Sequence, residues 1–183
     1  AAIHYIEQIA ITMKKKGYKL HLFIYWEQYA PQNVNRNVWD RVFFQHASNP
    51  YFSHSNYSEN RMDADHIDDW VDADFLQSIV RLNEHYKYSA CMANYLFYSK
   101  AFDVLSPAVK KILCTHDKFA NHNKSLHNAG YPEWSFWFGV GTEEEEARAL
   151  RRADVVLAIQ EDDCKYFRRI VNNEVKIITF PFI

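Results

Sequence analysis

The chain has 183 residues, 48% hydrophobic, 24% charged and 16% aromatic, with only four glycines and five prolines. It is too apolar for disorder and too poor in Gly and Pro for collagen or a flexible linker, and its length fits one domain burying roughly 70% of its unfolded surface. A formal charge of −2 argues against nucleic acid as a partner.

The glycines Gly17, Gly130, Gly139 and Gly141 form none of the GxGxxG, P-loop or GxSxG patterns, so three familiar phosphate or nucleophile loops are absent. No apolar run approaches the roughly 20 residues of a membrane span, and the N-terminus has no signal-peptide layout. Cys91, Cys114 and Cys164 sit in apolar patterns and read as reduced core thiols, which makes a cytoplasmic protein the expectation.

Ile3, Ile6, Ala10 and Met13 form one stripe of an amphipathic helix, closed by Lys14, Lys15, Lys16 and the C-cap Gly17. The basic ends of this helix and of a later one, at Arg168 and Arg169, read as complements of a helix dipole. Lys19 to Trp26 (KLHLFIYW) is a buried strand. A helix that opens the chain and feeds a strand at once leads us to expect an earlier strand upstream of Ala1. Arg41 to His46 is a short second strand, and the polar segment 47–66 is either a binding loop or a disordered insertion. A helix from about Asp68 to Lys87 turns Val71, Phe75, Ile79, Leu82 and Tyr86 inward.

Strand and helix alternate from there. Tyr88 to Ala93 is a strand with Asn94 at its carboxyl end, and a helix runs to about Leu105 before Pro107. Lys111 to Thr115 is a strand ending in His116 and Asp117, and 117–141 is irregular and aromatic-rich. Thr142 and Glu145 form a capping box, so Glu143 to Glu146 read as a solvated helix start with Glu144 pairing to Arg148. Asp154 to Gln160 is a buried strand, Glu161 to Val171 a helix with Cys164, Phe167, Ile170 and Val171 inward, and Val175 to Phe180 the last strand. Continuous apolar strands alternating with helices predict an α/β, Rossmann-like, doubly wound and mainly parallel sheet with helices on both faces.

Ligands of such sheets bind outside the carboxyl ends of the strands. Those ends offer Trp26 and Glu27, His46, Asn94, His116 and Asp117, and Gln160 and Glu161. His116 is the prime candidate, able to polarise a hydroxyl or act as a general base, against a bland alternative in which it bonds a backbone carbonyl. His116, Asp117, His122 and His127 are also conceivable zinc or manganese ligands, but their spacing matches no helical i, i+4 pair and Glu133 is the one further carboxylate nearby. Tyr131, Trp134, Phe136, Trp137 and Phe138 either stack on a sugar or lipid headgroup or pack the loop down.

The stretch KILCTHDKF, followed by TEEEEARALRRADVVLAIQEDDCKYFRRI, resembles the N-terminal domain of GT-B glycosyltransferases of the family 4 type. The opening AAIHYIEQIAITMKKKGYKLHLFIYW is similar to that family's first helix and second strand. The resemblance implies two Rossmann-like domains with an active site in the cleft between them. The first would bind a glycan or lipid-linked acceptor. The second, with its E-x7-E signature, would bind a nucleotide-sugar donor as co-substrate, with neither metal nor other cofactor. It implies that residues 1–183 are the acceptor half, that a first strand with a Gly-rich turn precedes Ala1, and that the donor domain follows Ile183. A segment without that domain would have little or no activity of its own. His116 would correspond to the family's acceptor-side histidine and act in catalysis, followed in the same motif by Asp117 and Lys118 in substrate binding. Asn94 and Gln160, placed at neighbouring strand ends by geometry and not by motif, would also line the acceptor cleft. For a lipid-linked acceptor, the aromatics and basic helix ends would contact a membrane peripherally.

Two other classes stand beside this expectation. One is a non-catalytic α/β binding or scaffolding module. The other is a metal-dependent hydrolase built on His116, Asp117, His122 and His127. Neither explains why EEEEARALRRADVVLAIQ follows THD in that order.

Overall fold

A computed structural model describes residues 2–26, 34–46, 66–130 and 142–181. The aromatic cluster from Tyr131 to Phe138, Glu27, Glu133, Gly139, Gly141 and all of the polar segment but His66 lie outside the described residues. The chain divides into two compact units, Ala1–Ser53 with Phe182–Ile183, and His54–Pro181.

In the first unit α1 (Ala2–Lys15) ends in a Schellman motif. The Tyr18 N–H donates to the Met13 carbonyl at 3.3 Å and the Gly17 N–H to that of Lys14 at 2.9 Å, with Gly17 at φ +88°. That left-handed turn is the reason for a glycine there. Lys14 does more than complement the helix dipole: its ammonium donates to the Val38 carbonyl at 3.2 Å and to Asp40 at 3.3 Å. Strands β1 (His21–Trp26) and β2 (Arg41–His46) pair in parallel, His21 beside Arg41. The expected buried strand is half-buried from His21 to Ile24, because β1 has a partner on one side and no further strand among the described residues on the other.

The second unit holds a four-stranded parallel sheet in the order β3 (Ala90–Asn94), β4 (Lys110–Cys114), β5 (Val155–Ala158), β6 (Lys176–Thr179). The strands thus belong to two parallel sheets, not the one expected. The strands follow one another in sequential order, each parallel to the next. One face of this sheet carries the core. There a row of side chains, Ala93, Leu113, Val156 and Ile177, runs in register across all four strands and is buried in the core. Against it pack a 3-10 segment, Leu96–Val104, with α4 (Glu143–Arg151) and α5 (Glu161–Ile170). The protein is therefore α/β and Rossmann-like, with parallel sheets flanked by helices.

Several boundaries shift. Helix α2 is Ala73–Tyr86, because Asp72 caps it, accepting from the Phe75 N–H at 2.7 Å; Asp68 and Asp69 belong to a separate 3-10 turn, Ile67–Trp70. Val71 and Phe75 are buried, whereas Ile79, Leu82 and Tyr86 are only half-buried. The helix expected after Asn94 winds as 3-10. Within the segment expected to be irregular, α3 (His122–Asn128) forms, and Gly130 follows it at φ +87°.

The glutamate run departs furthest from expectation. Thr142 caps α4, accepting from the Glu145 N–H at 3.2 Å, the first of the two bonds of a capping box. The four carboxylates then diverge around the helix. Glu143 pairs with Arg169 at 2.7 Å, and Glu144 with Arg151 at 2.8 Å instead of Arg148. Glu145 takes Arg148 at 2.6 Å and the Ile67 N–H at 2.9 Å. Glu146 is 0% exposed, not solvated. It shares a helical face with Ala149 and Leu150, three and four residues on, and that face is core.

Candidate functional site

The site grows from the carboxyl ends of β3 and β4. The Tyr95 N–H donates to the Cys114 carbonyl at 2.9 Å, and the Thr115 N–H and Oγ1 both donate to the Leu157 carbonyl, at 3.0 and 3.2 Å. These bonds carry the pairing one residue past the strands and set His116 just beyond them. Its ring is 5% exposed, and Nε2 lies 2.6 Å from Asn94 Oδ1. With the amide oxygen accepting, Nε2 carries the ring proton and Nδ1 the lone pair. Burial lowers the His116 pKa to about 4, so the imidazole is neutral at pH 7. Nε2 thus pairs with a side chain at the end of the adjacent strand.

Tyr95 completes the wall. Its ring centroid is 4.2 Å from that of His116, and it sits at φ 74°, ψ 140°, a left-handed region that an aromatic residue enters at a cost of roughly 1–3 kcal/mol.

The following loop is held from the side by Glu146. Its carboxylate accepts the Phe119 N–H at 2.8 Å, the Ala120 N–H at 3.2 Å and the Tyr166 hydroxyl at 2.8 Å. Burial nevertheless pushes its carboxyl above the ordinary range. Asp117 and Lys118, between His116 and this anchor, are both exposed. Burial first and the charge of Asp163 second raise the Asp117 carboxyl, with His122 and Lys118 opposing. The Lys118 ammonium lies 3.6 Å from Asp163 Oδ1 and 5.5 Å above the Tyr166 ring.

Of the expected site residues, Asn94 and His116 are brought into direct contact, and Lys118 reaches a carboxylate not anticipated. Gln160 is exposed at the N-cap of α5, where its side chain makes no capping bond. The four side chains considered as metal ligands do not gather: His127 is exposed near the far end of α3, and among the described residues no group of three His, Cys, Asp or Glu side chains could hold an ion. Among the described residues, no helix is long and apolar enough to cross a membrane.

Tyr95, Glu146, Asp163 and Tyr166 were not anticipated. Asp163 is the most informative: it is 1% exposed, and among the described residues neither carboxylate oxygen has a hydrogen-bond donor. A signal existed, since Asp163 lies four residues before Phe167 and seven before Ile170, on the stripe assigned to the core. The inward face expected of this helix named only its apolar residues, Cys164, Phe167, Ile170 and Val171.

No protein-family model matches the chain, and comparison with curated proteins finds no match. The functional reading therefore rests on the strand-end geometry and the sequence motifs.

Proposed function

We propose that this chain is the acceptor-binding part of a GT-B glycosyltransferase, which moves a sugar from a nucleotide-sugar donor to a glycan or lipid-linked acceptor. The observation that carries the reading is the His116–Asn94 pair, a neutral imidazole fixed at 2.6 Å by an amide at the next strand's end. It stands where open parallel sheets bind ligands.

The chemistry follows from that pair. A neutral ring can accept a proton from, or polarise, an acceptor hydroxyl, whereas an imidazolium cannot accept one. Asn94 fixes the ring plane, so the acceptor oxygen meets the nitrogen without a search over rotamers. Asp117, Lys118 and Gln160 supply exposed polar groups to the same sheet end. The donor diphosphate would be held by a second domain.

The test is sugar transfer by the full-length protein with a panel of nucleotide sugars. His116→Ala lowers kcat at least 100-fold while the fold persists. Unchanged transfer by that variant removes the assigned role, and no transfer from any nucleotide sugar removes the reading. A scaffolding module is the second reading, and thermal protection by neither sugars nor nucleotides would favour it.

A further inference from the structure

We propose that Asp163 is the anchor of an acceptor subsite beside His116, one that takes the hydroxyl or amino hydrogens of a neutral or amino sugar and excludes phosphorylated sugars. This deepens the glycosyltransferase reading and rests on it for the identity of the ligand as an acceptor.

The starting point is an accounting of donors. Asp163 occupies the third position of α5 and is 1% exposed, yet among the described residues both of its oxygens lack a hydrogen-bond partner. The helix dipole and Lys118 compensate its charge, but the ammonium at 3.6 Å is too far to be a hydrogen bond. Glu146, similarly buried one helix away, shows what this protein does with a structural carboxylate: three donors converge on it. Asp163 has none. A buried acceptor left without donors is costly, and a ligand that brings O–H or N–H groups removes the deficit.

Position and charge select the ligand. Asp163 pairs at 3.6 Å with Lys118, two residues after His116, and its charge helps raise the carboxyl of Asp117 between them. The subsite therefore lies against the loop that follows the imidazole. Around it two carboxylates, Asp117 and Asp163, face one ammonium, Lys118, and Glu146 adds a third acidic group. Glu143 and Arg169 cancel as a pair at 2.7 Å, and His116 is neutral. A phosphate would enter against this balance, whereas hydroxyls and ammonium groups enter with it. The Lys118 side chain, 45% exposed, lies against Asp163 Oδ1 as an ion pair at 3.6 Å, beyond hydrogen-bond distance, so a change of its rotamer admits the ligand.

The experiment is a chemical-shift titration of the isotope-labelled chain with three probes: a methyl hexoside, a methyl aminohexoside and a hexose 6-phosphate. The first two are expected to shift the Asp163 carboxyl and His116 ring signals with saturation, and the phosphate to bind at least 10-fold more weakly. Asp163→Asn is expected to weaken the neutral and amino sugars at least 10-fold. Should that variant not fold, Asp163→Glu serves instead; its carboxylate, displaced by one methylene, is expected to weaken the same sugars at least 3-fold. Preferential phosphate binding, no shift at Asp163 with any probe, or unchanged sugar binding in folded Asp163→Asn or Asp163→Glu overturns the proposal. Sugar binding at Asp163 without transfer by the full-length protein would sink the transferase reading and spare the subsite. Transfer to phosphorylated acceptors that Asp163→Asn leaves intact would do the reverse.

Discussion

Glu146 fastens the loop that carries Asp117 and Lys118, so its removal is the most revealing perturbation of the scaffold. Glu146→Ala takes away the acceptor of the Phe119 N–H at 2.8 Å, the Ala120 N–H at 3.2 Å and the Tyr166 hydroxyl at 2.8 Å. Tyr166 is half-buried and can turn to water, but the two amides are fixed by the backbone. Two stranded donors at about 1–3 kcal/mol each give a loss of about 2–6 kcal/mol, a large part of a domain's usual 5–15 kcal/mol. Glu146→Gln keeps one acceptor oxygen and turns an amine against at least one donor, for about 1–3 kcal/mol. Denaturant melts followed by circular dichroism measure both, and amide exchange at Phe119 and Ala120 reports the loop directly. A loss below about 1 kcal/mol for Glu146→Ala, or unchanged protection of both amides, would refute the reasoning.

Three further outcomes are expected. Arg152→Ala removes the guanidinium paired with Asp68 at 2.6 Å and with half-exposed Asp103 at 3.1 Å, leaves Arg148 as the remaining cation at Asp68, and costs about 1–2 kcal/mol in a denaturant melt. Asn94→Asp sets a carboxylate against the ring nitrogen now 2.6 Å from the amide oxygen, and raises the His116 pKa by more than one unit in a histidine titration. Folded His116 titrates near 4 and an ordinary histidine near 6.5, so between these values the unfolded chain binds more protons. Stability therefore falls as pH drops through that window, by up to about 3 kcal/mol, and His116→Gln flattens that part of the pH–stability curve.

Much of the fold was legible because it depends on local periodicity. The Lys14 to Gly17 stop, the KILC and DVVLA strands and the Thr142 capping box all express rules that act within a few residues. The pairing of strands does not, and so their division between two sheets was not foreseen. Asn94 and His116 were legible as strand ends, but their contact follows from the register that sets Asn94 beside Cys114. Glu146 was misread and Asp163 overlooked for one reason. An acidic residue in the first helical turn satisfies the dipole rule whether it faces water or core, and only the apolar stripe on the same face tells the two apart. Arg148 chose Glu145 over Glu144 because Asp68, 3.5 Å from its guanidinium, draws it toward the 3-10 turn.

The functional reading requires a neutral His116, held by Asn94 with its proton on Nε2. Nitrogen-15 and carbon-13 spectra of the histidine rings across pH measure both properties at once. The structure predicts a pKa near 4 and the Nε2–H tautomer at pH 7. Titration near the ordinary 6.5, or a proton resident on Nδ1, would contradict it.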